Sequence, residues 1–269
     1  MVTTSWLLDH SRVDSFPVDP VQFPMAVDVP FLEIVLNAGE FLTIPREWFH
    51  WIVTEPHTVS LSFIIHHMSG SMSHPLLQSF TSNKPLHQPI SDNPTTLSYE
   101  EVSRRLHQET VQMTIGIGDD VSPPIKHLGH EGKKCFYRAP FQDSLKLIQD
   151  HDFTGYLTFT DLYCLSSSYN DWTNINRFIP SASDLCIGHE TRLWMSLDKK
   201  VDSGLHRDPS GSVLCVLTGR KHVRLSNPMY AHRLYITPFP SMPVLTTSEQ
   251  VLSYLNRGRK GEKEKEKEK

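Results

Sequence analysis

The chain has 269 residues, of which 38% are hydrophobic and 21% are charged, and its formal net charge is −4. A chain of this length can bury one large core or two small ones. It has no apolar run of about 18 residues, and its first residues lack the basic region and apolar core of a signal peptide, so we expect neither a membrane-spanning nor a secreted protein. The slightly acidic charge without a basic stripe argues against binding to duplex nucleic acid.

Residues 1–64 form the first predicted block, which is rich in short β-strands. β-branched and aromatic residues between turn signals predict strands at Phe31–Leu36, Phe41–Ile44 and Thr58–Ile65. The next segment, residues 65–98, is rich in Ser, Pro, His and Asn and has few large apolar residues. This composition predicts a linker.

The second block, residues 99–256, begins with a predicted helix. Ser98 precedes acidic first-turn residues, which indicates a helix over residues 99–108, and apolar residues at helical spacing predict another over Phe141–Gln149. Further strands are predicted at Val111–Ile117, Tyr156–Leu157, Leu193–Ser196, Val213–Leu217, His222–Leu225 and Leu234–Ile236. Residues 257–269 contain Gly258-Arg259-Lys260-Gly261 followed by alternating Glu and Lys, with almost no apolar surface, so we expect a disordered charged tail.

Many short strands separated by frequent turn signals favour an antiparallel arrangement over alternating strands and helices. We therefore expect an all-β fold of the double-sheet jelly-roll type with a few flanking helices. The four cysteines are widely spaced and form no Cys-x-x-Cys pair. They predict free, mostly buried thiols in a reducing compartment, with the cytoplasm as the first expectation and the nucleus as the alternative.

A His-x-Asp tripeptide begins at His206. In an extended strand, residues i and i+2 point to the same face, so His206 and Asp208 converge while Arg207 points away. An imidazole and a carboxylate on one face can begin an iron(II) site, and a second imidazole would complete the two-histidine, one-carboxylate set that leaves three coordination positions open. The tripeptide alone is a weak signal, because the chain contains 15 histidines.

Two further residues extend this hypothesis. Lys221 lies in a stretch that reads as two strands joined at Thr218-Gly219, so it can return toward the metal as a point charge for an anionic co-substrate. Upstream, a glycine turn, an apolar strand, a proline and an aromatic pair precede His50. This pattern is typical of a hairpin, in which His50 is either a core histidine or a ligand.

The segment Gly39–Ile52, with the sequence GEFLTIPREWFHWI, resembles the segment that carries the distal histidine in the JmjC and related cupin-like iron(II), 2-oxoglutarate-dependent oxygenases. The other half of the family pattern is similar to Leu193–Met195, His206–Asp208, Gly219–Lys221, Asn227-Pro228 and Leu234-Tyr235. The two matching blocks span roughly residues 11–65 and 110–245.

The resemblance implies site residues and an activity. The implied iron ligands are two histidines and a carboxylate, namely His206, Asp208 and His50. Lys221 and Ser203 would bind the distal carboxylate of 2-oxoglutarate, and Tyr156 is a weaker candidate for the same carboxylate. The implied activity is hydroxylation with iron(II), 2-oxoglutarate and dioxygen. A protein side chain is the expected substrate, with a modified nucleoside or a small molecule as alternatives, and a homodimer is left open.

The order of the two blocks departs from the family. In the family the His-x-Asp block precedes the distal histidine, whereas here His50 comes before His206. Three explanations are open: a circularly permuted barrel in which residues 65–98 bridge the old ends, a site shared between two chains, or a fragment of a tandem array. We favour the permuted single barrel, since permutation is tolerated where the old termini are close and exposed.

Two other functions compete with the oxygenase. One is a non-catalytic cupin-like binding module, which the changed block order favours, as does Ser212 at a position where relatives often carry asparagine. The other is a metal-dependent cupin enzyme without 2-oxoglutarate. Lys221 and Ser203 distinguish these functions from the oxygenase, because they have no evident purpose unless a dicarboxylate binds.

Overall fold

The structure, a computed structural model, describes residues 9–90, 98–117, 134–161, 170–179, 182–238 and 243–267. Its strands, in chain order, are β1 Asp9–Ser11, β2 Leu32–Asn37, β3 Glu40–Ile44, β4 Phe49–Thr54, β5 Val59–Gly70, β6 His87–Pro89, β7 Thr110–Gly116, β8 Lys134–Pro140, β9 Thr154–Asp161, β10 Leu185–Ser196, β11 Val201–Arg207, β12 Gly211–Thr218, β13 Arg220–Ser226, β14 Ile236–Pro238 and β15 Val244–Leu245. Its α-helices are α1 Pro75–Thr81, α2 Tyr99–Leu106, α3 Phe141–His151, α4 Asn170–Thr173 and α5 Ser248–Lys267.

These strands form two sheets. The six-stranded sheet has the order β14-β1-β11-β4-β13-β2, and the nine-stranded sheet has the order β15-β8-β7-β9-β10-β5-β12-β3-β6. All neighbouring strands are antiparallel except β15 and β8. The two predicted blocks interleave: β4 lies between β11 and β13, and β5 lies between β10 and β12. One chain therefore supplies both halves of both sheets, as a permuted single barrel requires.

The hydrophobic core has three layers, as expected when two sheets face each other and are covered on their outer faces. The inner layer joins both sheets and consists of Leu36, Leu42, Ile44, Leu214, Val216, Val223 and Leu225. The outer face of the nine-stranded sheet packs against the helices, and that of the six-stranded sheet packs against the loop that contains Val13, Phe23, Ala26 and Val29. The predicted all-β jelly-roll class is confirmed.

The predicted linker, residues 65–98, is wrong over residues 65–90, where the chain is part of the fold. Strand β5 runs on to Gly70, helix α1 follows, and β6 pairs with β3. Leu76 and Leu77 are 1% and 5% exposed and belong to the largest core cluster. Two adjacent leucines thus give enough apolar surface to dock this seven-residue helix, although the surrounding composition is polar. Residues 91–97 lie outside the described residues.

The predicted disorder of residues 257–269 also differs from the structure, in which α5 extends to Lys267. The helix is anchored at its start, because Val251 and Leu255 are one turn apart and fully buried. Beyond this anchor, Glu and Lys have high helix propensity, and residues three apart in the alternating tail carry opposite charges. Residues 268–269 lie outside the described range.

The other local predictions hold with small shifts. The two predicted helices correspond to α2 and α3. The predicted strand Leu234–Ile236 is wrong at its start, because Leu234 is a buried residue after a 3₁₀ helix and Tyr235 has a φ of 50°, so β14 begins at Ile236.

The free thiols are buried at Cys135 and Cys215 and exposed at Cys186, while Cys164 lies outside the described residues. Within the described part of the chain, no helix combines the length and the hydropathy needed to cross a membrane.

Candidate metal centre and adjoining cavity

His50, His206 and Asp208 converge at one end of the six-stranded sheet. His206 in β11 lies directly opposite His50 in the antiparallel strand β4, and Asp208 is the first residue after β11. The candidate ligand atoms of the three side chains all lie within 4.8 Å of one another, and His50 Nε2 is 3.5 Å from Asp208 Oδ2. No second group of this kind occurs in the ranges that the structure describes.

Backbone carbonyl groups orient both imidazoles. His50 Nδ1 lies 3.0 Å from the Trp48 carbonyl oxygen, and His206 Nδ1 lies 3.0 Å from the Gly204 carbonyl oxygen. A carbonyl oxygen only accepts, so each Nδ1 carries a proton, and in the uncharged ring Nε2 then has the lone pair that can bind a metal. This is the arrangement by which protein sites fix the tautomer of a metal-binding histidine.

Burial keeps His206 neutral. The pKa of His206 is lowered to about 4, mainly by loss of hydration and also by the neighbouring His50, whereas Asp208 and the Gly204 carbonyl group oppose the shift. At neutral pH the ring is therefore an uncharged imidazole, which is the form that binds metals.

The turn at Pro45–Trp48 connects the two ligand-bearing segments. The Glu47 N–H donates to the Asp208 carbonyl oxygen at 3.2 Å, and the Glu47 carboxylate lies 3.0 Å from Arg207 Nη1. Glu47 has a φ of 68°, in the left-handed region that non-glycine residues rarely occupy. The same turn carries the Trp48 carbonyl group that orients His50, so it positions both the histidine and the aspartate.

A third histidine, His10, adjoins the site. The rings of His10 and His206 stack with centroids 5.1 Å apart and planes inclined by 11°. His10 is 3% exposed, and burial together with the nearby His206 and His50 lowers its pKa to about 2. His10 could not be singled out from the sequence, because the three-residue strand β1 is too short to show a periodicity and the chain contains 15 histidines.

A cavity of about 100 Å³ opens beside the three candidate ligands. This volume can hold several water molecules or a small organic anion. Its lining consists of Ile44, His50, Ile52, Ser62, Ile64, Tyr156, Arg192, Trp194, Ser203, His206, Asp208, Pro209, Ser210, Ser212, Leu214 and Lys221. All six predicted site residues therefore line one cavity, together with Arg192 and Trp194, which the sequence analysis did not single out.

Lys221 is a buried cation in this cavity. The residue is only 2% exposed. Its Nζ donates hydrogen bonds to Thr54 Oγ1 at 3.0 Å and to the Tyr156 hydroxyl at 3.1 Å. An ammonium group has three donors, of which these two hydroxyls use two. No carboxylate pairs with Lys221 within the described residues. A buried charge is costly without a counter-ion, so this one is suited to an anionic ligand.

Ser203 has a different environment. Its hydroxyl accepts the Ile52 N–H at 2.9 Å and donates to the Gly204 carbonyl oxygen at 2.9 Å, at the irregularity in the β11–β4 register. The single hydroxyl proton is therefore used within the protein. The predicted contact of Ser203 with a carboxylate stays a prediction.

Thr54 is a site residue that the sequence analysis missed. It lies in β4 four positions after His50, so the two share a face of the strand, and it is 1% exposed. Because alternate residues of a strand share a face, counting from His50 to residues 52 and 54 along β4 would have predicted that Thr54 faces the site.

The comparisons with known proteins agree with the double-sheet fold that carries this site. Residues 76–264, more than two thirds of the chain, match the model of the cupin-like domain. The chain belongs to this family. The match does not include β2–β5, so the strand that carries His50 lies outside it.

Two curated proteins are similar over shorter segments. A 57-residue segment, 21% of this chain, is 35% identical to 13% of the lysine-specific demethylase JMJ30 of Arabidopsis thaliana. A 60-residue segment, 22% of this chain, is 30% identical to 15% of the Jumonji C domain-containing protein 5 of Drosophila melanogaster. The aligned segments thus span less than a sixth of either relative. No solved structure matches the chain significantly.

Proposed function

We propose that this protein is an iron(II), 2-oxoglutarate-dependent oxygenase that hydroxylates a protein side chain. The observation that carries the proposal is that two imidazole Nε2 atoms, one carboxylate and a buried ammonium group share one cavity. The first three groups form a two-histidine, one-carboxylate set with open positions, which suits non-haem iron(II). The ammonium group suits a carboxylate of the co-substrate.

The donor set fits the metal. Both histidines can present Nε2 to the ion, because Nδ1 of each faces a backbone carbonyl oxygen, and Asp208 supplies a carboxylate. Bound iron would supply the means to activate dioxygen for insertion into a C–H bond. The residues of this chain would bind the ion on one face, and the apolar side chains of the cavity would limit the access of water to the opposite face.

We assign the distal end of the co-substrate site to Lys221. Thr54 and Tyr156 fix the position of the ammonium group through their hydroxyls, so the residues that position it come from β4 and β9 on opposite sheets. A carboxylate bound there would form a charge-assisted hydrogen bond in a partly dry cavity.

The free thiols agree with a reducing compartment such as the cytoplasm or nucleus.

The test is uncoupled turnover, which does not require the primary substrate. The purified protein with iron(II), ascorbate and 2-oxoglutarate should form succinate slowly, and both His206→Ala and Asp208→Ala should abolish this. Equal succinate in wild type and His206→Ala would indicate solution chemistry. If an iron-loaded wild type forms none and calorimetry detects no 2-oxoglutarate binding, the protein is a cupin-like module that does not use this co-substrate.

A further inference from the structure

Three histidines lie side by side across the six-stranded sheet. His10 in β1 is directly opposite His206 in β11, and His206 is directly opposite His50 in β4. Directly opposed residues in antiparallel strands project from the same face, with Cβ atoms about 5 Å apart. We name these three residues the imidazole row.

The ring of His206 is in contact with a second ring on each side. His10 stacks on it nearly in parallel, with planes inclined by 11°, whereas the His50 ring is 4.1 Å away between centroids and tilted by 60°. The Gly204 carbonyl oxygen fixes which edge of the His206 ring faces the backbone. A hydrogen bond to one edge still allows the ring to rotate over a limited range about χ2, because the χ2 angle of histidine has a broad energy minimum. A flat neighbour limits that motion.

The strand that carries His10 is itself well anchored. Strand β1 pairs with β11 on one side and with β14 on the other. The Ser11 hydroxyl donates to the Leu234 carbonyl oxygen and accepts the Val13 N–H, and the Arg12 N–H donates to the Tyr235 carbonyl oxygen at 3.0 Å. Because this backbone is fixed and His10 is only 3% exposed, its ring has little room to move away from His206.

We propose that His10 is a positioning residue of the metal centre, whose flat face fixes the ring plane of His206 so that Nε2 points at the ion. The inference rests on the proposed function, since it assigns His206 as a ligand. His10 is not one of the three side chains whose ligand atoms cluster, so its contribution acts through His206. The property that matters is the planar ring, and a nitrogen atom at position 10 is not required.

The experiment compares His10→Phe, which keeps a flat ring, with His10→Leu, which has similar bulk without one. Cobalt(II) is the probe, and its dissociation constant is measured by calorimetry and its coordination by the visible absorption of the bound ion. We expect His10→Phe to bind within about threefold of wild type and to keep the wild-type spectrum. His10→Leu should bind about ten- to a hundredfold more weakly, as is typical when a group that orients a ligand is lost, with altered band intensities.

A matched control separates positioning from stability. Val251→Ala removes buried apolar atoms from helix α5, which belongs to a different core cluster from the one beside the imidazole row. It should lower the unfolding free energy without changing cobalt affinity. Wild-type affinity in His10→Leu, or equal losses in His10→Phe and His10→Leu, would overturn the inference. Failure of the wild type itself to bind cobalt would overturn the proposed function, and the inference with it.

Discussion

His50 and His206 face each other across neighbouring antiparallel strands, with ring centroids 4.1 Å apart. They come from the two predicted blocks of the sequence, residues 1–64 and 99–256. Their proximity depends on the β4–β11 ladder, which is in regular register from Leu205 to Arg207, and does not depend on a flexible loop. A candidate metal site formed in this way is as rigid as the sheet that carries it.

The first prediction concerns the ligands. His50→Ala should weaken the binding of cobalt(II) by more than about a hundredfold, as should His206→Ala, because each removes one of three donors. Calorimetry on the folded variants measures this. His222→Ala is the control, since His222 is a partly exposed histidine on neighbouring strand β13 that pairs with Glu55, and it should bind like the wild type. Undiminished affinity in His50→Ala would remove that residue from the site.

The second prediction concerns the buried ammonium group. Lys221→Met should weaken 2-oxoglutarate binding by about ten- to a hundredfold, since a charge-assisted hydrogen bond contributes about 1.5–3 kcal/mol, and should leave cobalt affinity unchanged. The metal-free variant should also unfold at higher urea concentration, because the cost of burying the charge disappears.

The control for the second prediction is Lys200→Met, because the side chain of Lys200 is 59% exposed. It should change neither the affinity for 2-oxoglutarate nor the stability. Equal affinity for 2-oxoglutarate in Lys221→Met and wild type would favour a cupin that binds metal without this co-substrate.

The third prediction concerns pH. The pKa values of His206 and His10 are lowered from 6.5 to about 4 and about 2, so between pH 6.5 and pH 4 the unfolded chain binds protons that the folded chain does not. The unfolding free energy of the metal-free protein must therefore decrease as the pH falls through this window, by up to about 1.4 kcal/mol per pH unit for each histidine. Urea titrations at several pH values measure it. His10→Phe should show a shallower slope, and an unchanged slope would refute the assignment to His10.

The fourth prediction concerns the segment that the composition identified as a linker. Leu76→Ala should lower the unfolding free energy by about 2–5 kcal/mol, the usual cost of emptying a buried leucine site, because Leu76 is 1% exposed. Gln78→Ala, on the exposed face of the same helix, should cost little. Denaturant unfolding measures the unfolding free energy of both variants. Similar losses for the two would show that α1 is not docked against the core.

Where local alternation determines them, most strands could be predicted from the sequence, and so could the convergence of His206 and Asp208. His206 and Asp208 follow from the spacing of one strand, and the segment before His50 has its own turn and proline. What the sequence could not show depends on contacts between distant segments. The burial of Leu76 requires a partner surface, and the stacking of His10 depends on the β1–β11 register.

The strands in the interior of the two sheets determine which fragment of the chain can fold by itself. The region that matches the family model begins at residue 76, after β2–β5, yet β4 separates β11 from β13 and β5 separates β10 from β12. A chain cut at residue 76 would leave four strands of the remaining region with unpaired edges in the middle of both sheets, where exposed backbone groups promote aggregation. For expression and mutagenesis, the smallest fragment should therefore start before β1, which itself lies between β14 and β11.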